Sequence, residues 1–274
     1  MRAAVSRALA VLQRVTRDPT LVPEVWRKLH GRLIARRYQR RTRLYAELAV
    51  PCVDGLARML DVEPAVVQTV MNGEPLRGYL ADLEAYRVPQ QARAMGGAAF
   101  LEVCYTIVRL TRPKVVLETG VAHGYSTAIM LHALEDNNEG ELHSVDLPMF
   151  LPGVAAFTGG AVPPRLRASP RWELLVGSDR QVLPSLLKRI GLIDCFLYDS
   201  DKSYEGMLHT WRLVWPHLRP GAVLVLDDVQ AHDAFLDFVG ALGLTPLIIP
   251  KPARQGVYRW DDVYYVGLVR KPQT

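Results

Sequence analysis

A chain of 274 residues has room for one large α/β domain and a helical appendage, and its composition, 49% hydrophobic and 22% charged, is that of an ordinary globular protein. Three cysteines, Cys52, Cys104 and Cys195, stand singly with no CxxC pair, which excludes a disulfide framework and a cysteine zinc cluster; no apolar run approaches the roughly 20 residues that span a bilayer. The net charge of +5 is unevenly divided, because residues 1–43 hold twelve Lys or Arg against Asp18 and Glu24 while the remainder is acidic on balance.

The first 17 residues carry Arg2, Arg7, Arg14 and Arg17 and no acid, but no continuous apolar signal core accompanies them, so a reducing cytoplasmic setting is expected. From Val5 to about Tyr86, apolar residues recur at three-to-four spacing between breaks at Asp18-Pro19, Val50-Pro51, Glu63-Pro64 and Asn72-Gly73, which predicts several short helices. The arginine-dense stretch Arg36 to Arg43 lacks the recognition helix or aromatic platform of a nucleic-acid module, and no nucleic-acid partner is expected. A cap, a homodimer surface, or an arm for an anionic membrane or carrier protein suits residues 1–43; so does a solvated basic face. The expected division is a helical extension over 1–90 and a catalytic core over 91–274.

After Pro113 short apolar runs alternate with helical segments. Strands are predicted at Val115 to Thr119, Glu141 to Val145, Trp172 to Val176, Asp194 to Tyr198 and Ala222 to Asp227. Helices are predicted at Tyr125 to Glu135, Arg180 to Ile190, Tyr204 to His217 and Ala231 to Leu242. Such β-α alternation implies a mainly parallel sheet covered on both faces. Thr245 to Ile249 and Val263 to Arg270 read as a closing strand pair around a loop with Tyr258 and Trp260. The Pro/Gly-rich connection Leu147 to Pro170 is long enough to be a lid or binding loop.

The segment Val115-Val-Leu-Glu-Thr-Gly-Val-Ala-His-Gly-Tyr-Ser126 runs from a strand through a glycine turn into a helix. Gly120 and Gly124 leave backbone that a ligand can approach, and the first N–H groups of the helix suit an anionic carboxylate. Asp146 follows at the end of the next predicted strand, where an acid can accept from two ribose hydroxyls. The G-x-G-x-x-G run of nicotinamide-dependent enzymes is absent.

The spacing Glu-x-Gly-x-x-x-Gly-Tyr-Ser resembles that of catechol O-methyltransferase and its relatives. Asp199-Ser-Asp-Lys-Ser-Tyr-Glu205, Pro216-His-Leu-Arg-Pro-Gly-Ala222 and Asp227-Asp228 resemble the D-x-D-H-S-Y-E type of bacterial (methyltransferase 24-like) enzyme. The resemblance covers roughly Gly96 to Arg270 and implies a class I S-adenosylmethionine-dependent methyltransferase. The implied fold is Rossmann-like α/β, a seven-stranded, mostly parallel sheet with an antiparallel C-terminal strand, here with an N-terminal helical extension. It implies that Glu118, Gly120, Gly124 and Tyr125 line the cofactor, that Ser126 takes the methionine carboxylate and Asp146 the ribose, and that Ser178 or Asp179 meets the adenine.

Asp199 and Asp227-Asp228 are placed at neighbouring strand ends, the edge where open α/β sheets bind ligands. Three converging acids repel one another unless a cation or protons compensate, and a divalent hard metal, Mg²⁺ foremost, is expected there. The resemblance makes Lys202, three residues beyond Asp199, the base that deprotonates an acceptor hydroxyl, which needs its pKa pulled below the ordinary value near 10.4. Asp228 stands where the catechol-type site carries Asn, and Lys202 where the D-x-D-H relatives carry His. His232 is expected at a helix start and His123 on the solvent side of the turn, while Tyr204, Trp211 and Trp215 read as packing. The expected activity is O-methylation of a small hydroxylated acceptor, a sugar, phenol or other secondary metabolite, with metal assistance. A metal-independent or N-methylating enzyme, and a non-catalytic protein of the same fold, are the alternatives.

Overall fold

Runs rich in Val, Leu and Ile, too short for core helices and broken by Gly, Pro or acids, form strands, buried on both faces at the centre of the sheet and half-exposed at the Trp172–Val176 edge. They are β1 (Val115–Thr119), β2 (Glu141–Asp146), β3 (Trp172–Val176), β4 (Ile193–Tyr198), β5 (Leu218–Leu226), β6 (Leu247–Lys251) and β7 (Tyr264–Arg270). The computed structural model describes residues 11–13, 15–23, 25–26, 41–85, 98–147, 158–253 and 262–273. Arg36 to Arg40, Tyr258, Trp260, residues 148–157 of the proposed lid and the expected boundary at residue 90 lie outside the described residues.

The strands form one sheet in the order β3-β2-β1-β4-β5-β7-β6. Pairing is parallel from β3 through β5, and β7 runs antiparallel between β5 and β6. Six strands therefore share one carboxyl edge. The expected seven-stranded sheet with an antiparallel C-terminal strand is what the chain forms.

Among the described residues the helices from Thr42 onward are α1 (Thr42–Leu48), α2 (Cys52–Leu60), α3 (Pro64–Met71), α4 (Glu74–Ala85), α5 (Leu101–Thr111), α6 (Tyr125–Asn137), the single turn α7 (Pro164–Arg167), α8 (Asp179–Ile190), α9 (Tyr204–Val214) and α10 (Ala234–Ala241). One core cluster joins α2 to α6 to one face of the sheet, through Leu56, Val67, Leu76, Ile107 and Ile129. The other gathers α8, α9 and α10 on the opposite face, with Trp211, Phe235 and Phe238 at its centre. Several starts follow from capping: Ser178 and Gln181 form a capping box on α8, and the Ser203 hydroxyl accepts from the Gly206 N–H at 3.1 Å to open α9.

Of the boundaries that differ from expectation, three have a clear local reason. α9 ends at Val214 and tightens into a 3₁₀ turn, Trp215–His217, because Pro216 has no N–H to continue an α-helix. α10 begins at Ala234, since Asp228 adopts a left-handed φ of 58° and His232 is extended. β6 runs on through Pro250 to Lys251, which an edge strand tolerates because its outer N–H row has no partner strand.

Candidate active site

The glycine turn is held from every side by its own chain. The Gly120 N–H donates to the Val145 carbonyl at 2.9 Å and the Ala122 N–H to Asp146 Oδ2 at 2.8 Å. Gly120 has φ 87°, and a Cβ there would lie 2.1 Å from the Asp199 carbonyl oxygen. Gly124 has φ 86°, and a Cβ there would meet Val162 at 2.6 Å and the Gly159 backbone at 2.9 Å. Both glycines thus make room for neighbouring protein, not only for a ligand as the sequence suggests. Gly124 occupies the cap position of α6 and has no side chain to cap its first N–H groups.

Glu118 is fully buried and accepts from three hydroxyls: Ser126 at 2.6 Å, Thr127 at 2.7 Å and Ser144 at 2.7 Å. Burial outweighs the opposing pull of the three donors and raises its pKa to about 7. This network ties β1, α6 and β2 together, so Glu118 sets the shape of the turn, and the Ser126 hydroxyl is already engaged. Tyr125 is buried beside His123 in an edge-on ring contact. His123, expected on the solvent side, is only 4% exposed, because the Gly159–Val162 segment folds over the turn and its Ala161 N–H bonds the His123 carbonyl.

Past β3, the Ser178 hydroxyl is spent on the α8 capping box. Asp179 accepts from Ser200 at 2.7 Å and Thr210 at 3.1 Å. Ser200 also lies 3.3 Å from the Thr119 hydroxyl, so this chain of bonds links the β3, β4 and β1 ends.

At the ends of β4 and β5 the three predicted acids do converge: ligand atoms of Asp199, Asp227 and Asp228 lie within 4.8 Å of one another. Two lysines are built into them. Lys202 Nζ sits 2.7 Å from Asp199 Oδ1 and 3.8 Å from Asp228 Oδ2, and donates to the Asp227 carbonyl at 3.0 Å. Lys251 Nζ donates to both Asp227 oxygens, at 2.8 and 2.7 Å, and lies 3.5 Å from Asp228 Oδ1. The Asp227–Lys251 pair is buried, with side chains 3% and 4% exposed, whereas Asp199, Lys202 and Asp228 are partly open to solvent.

Burial raises the Asp199 and Asp227 pKa values, the latter to about 7, with Asp228 adding to the Asp227 shift and the lysines opposing both. Burial alone would lower Lys202, but Asp199, Asp228 and Asp227 outweigh it and its pKa rises. That direction is the reverse of what proton abstraction by a neutral Lys202 amine requires.

Residues 117–229 match the family model of a methyltransferase domain. The carboxyl edge of the sheet they build carries the turn and the acids described above. This part of the chain is thus similar to a methyltransferase domain, and the strand order around it is the seven-stranded one expected of the class I fold. A Podospora anserina methyltransferase with S-adenosylhomocysteine bound shares its fold at a TM-score of 0.51 and 14% identity, covering 73% of this chain and 88% of that one. An O-methyltransferase from Bacillus cereus in complex with S-adenosylhomocysteine gives 0.49 at 19% identity, over 76% and 97% of the two chains. TomG, an O-methyltransferase of Streptomyces achromogenes involved in tomaymycin synthesis, gives 0.48 at 17% identity, over 73% and 91%. Comparison with curated proteins finds no match.

In this domain the residues expected at the site fall on one sheet edge, in two groups. Asp146, the start of α6 and Asp179 surround the turn; Asp199, Lys202, Asp227 and Asp228 stand next to it, joined where Asp199 packs on Gly120. His232 accepts from the Ala234 N–H through Nδ1, and its Nε2 contacts the Lys202 carbonyl at 3.2 Å, so it positions the loops and fits its reading as a residue near a helix start. Lys251 is the residue the sequence conceals, because Pro250 before it reads as the end of the strand. The donor set of three carboxylates would suit a hard cation, but the two ammonium groups stand among the oxygens such an ion would use, and the arrangement as it stands does not fit one.

Proposed function

We propose that the domain transfers the methyl group of S-adenosylmethionine to a hydroxyl of a small molecule held at the Asp199–Lys202 pair. The observation that carries this reading is the backbone contact of Asp199 with Gly120, which sets the charged cluster directly against the cofactor turn. Asp146 would hold the ribose hydroxyls, the first N–H groups of α6 the methionine carboxylate, and Asp179 with the Ser178 region the adenine. Bound S-adenosylmethionine supplies an electrophilic methyl group.

The chain's own part is positioning and proton transfer. Asp199, partly exposed and with its pKa raised by burial, accepts the hydroxyl proton at a carboxylate oxygen. Lys202, kept protonated by its three acids, holds the acceptor oxygen and stabilises its developing negative charge.

Calorimetric titration with S-adenosylhomocysteine tests the cofactor half: binding is expected, with loss in Asp146→Ala. Asp199→Asn should keep that binding and lose methyl transfer to a panel of phenolic and sugar acceptors. A folded wild-type protein that does not bind S-adenosylhomocysteine would remove the basis of the proposal.

A further inference from the structure

We propose that Lys251 is the built-in counter-cation of the acid cluster, standing where a divalent metal would otherwise balance Asp227 and Asp228, so that this site works without a bound ion. The inference rests on the reading of the cluster as the acceptor end of the methyltransferase site.

The geometry separates an inner pair from an outer one. Inside, Lys251 reaches from the end of β6 across β7 and donates to both carboxylate oxygens of Asp227 at the end of β5, 2.8 and 2.7 Å away. The Ala98 carbonyl lies 3.4 Å from the same ammonium and the Tyr264 ring centroid 5.4 Å, which adds an oxygen and an aromatic face to its surroundings. Outside, Lys202 pairs with Asp199. Asp228 stands between them, 3.5 Å from one ammonium and 3.8 Å from the other.

A hard divalent ion requires about six oxygen ligands. To take Asp227 it would have to displace an ammonium that already spans both carboxylate oxygens, and it would face a second positive charge at Lys202. With Lys251 expelled, a buried cation would lose its counter-ion, a costly state in a low-dielectric interior. With both lysines in place, three carboxylates meet two ammonium groups, and the charge that the sequence assigns to a metal is already largely supplied. Lys251 is a positioning residue: it holds Asp227 and Asp228, and through the Asp227 carbonyl the Lys202 ammonium, in their places. The acceptor then meets the Lys202 ammonium with the Asp199 and Asp228 carboxylates beside it.

Titration of Mn²⁺ into the protein, read by electron paramagnetic resonance and by melting temperature, tests this with the metal alone. Wild type should show no saturable site up to on the order of 1 mM. Lys251→Met should open the cluster and tighten Mn²⁺ binding by at least about tenfold, with the gain lost again in Lys251→Met combined with Asp199→Asn. Lys251→Gln, which keeps an N–H donor for Asp227, provides a second variant should the Met side chain impair folding. A saturable Mn²⁺ site in wild type that Asp227→Asn removes overturns the inference, as does a folded Lys251 variant that binds Mn²⁺ no better than wild type. S-adenosylhomocysteine titration of the same samples keeps the two proposals apart: intact binding beside a wild-type metal site sinks only the role of Lys251, whereas absent binding sinks the functional reading and leaves the metal result standing.

Discussion

Replacing Glu118 by Gln tests whether the turn is held by a carboxyl group that stays protonated toward neutrality. Glu118 is fully buried among the Ser126, Thr127 and Ser144 hydroxyls, and burial raises its pKa from 4.5 to about 7. A folded-state pKa above the unfolded one means the native state retains a proton that the unfolded chain releases, so this contribution is complete below pH 4.5 and is lost as the pH rises through 7. At about 1.4 kcal/mol per unit, the shift amounts to roughly 3 kcal/mol. For a chain of this size that corresponds to a swing of roughly 6–12 °C in melting temperature. Glu118→Gln cannot ionise, so the stability difference between variant and wild type should move in the variant's favour by about that amount between pH 4.5 and 8. Urea or thermal melts by circular dichroism at half-unit steps measure it, and the subtraction cancels every other titrating group. A difference that stays flat across this range would refute the argument, showing that Glu118 is ionised in the fold and balanced by its hydroxyl donors.

Gly120→Ala should cost more than Gly243→Ala: both carry positive φ, worth about 1–2 kcal/mol for a side chain, but only the Cβ at Gly120 meets backbone, at 2.1 Å, while the one at Gly243 meets nothing within 4 Å. Equal losses in denaturant melts would mean that the β1–β4 contact yields freely. Ser178→Ala should lose about 1 kcal/mol of stability with its capping bond, and S-adenosylhomocysteine titration should find affinity nearly unchanged; a large affinity loss without destabilisation would instead place its hydroxyl on the adenine. Trp211→Ala, at the centre of the α8–α10 face and fully buried, should cost about 3–5 kcal/mol in denaturant melts.

The architecture was legible in the chain because its signals are local. Apolar runs bounded by Gly, Pro and acids marked β1 and β3 to the residue, the helical run from Tyr204 marked the start of α9, and β-α alternation allows few arrangements other than a parallel sheet. The converging acids followed from the same logic, since consecutive core strands paired in parallel bring their carboxyl ends to one edge. What neutralises those acids is not local. Lys251 lies 24 residues from Asp227, beyond α10 and at the far end of β6, behind a proline that masks the strand, and it meets its partner only because β6 and β5 flank β7. The turn shows the same limit: its sequence displays glycines and acids, but only the folded chain reveals that Gly120 yields to the Asp199 backbone and that Glu118 faces three hydroxyls. Sequence spacing determined which groups reach the edge; burial and packing between distant strands decided their charge, their partners and the work left for a bound ion.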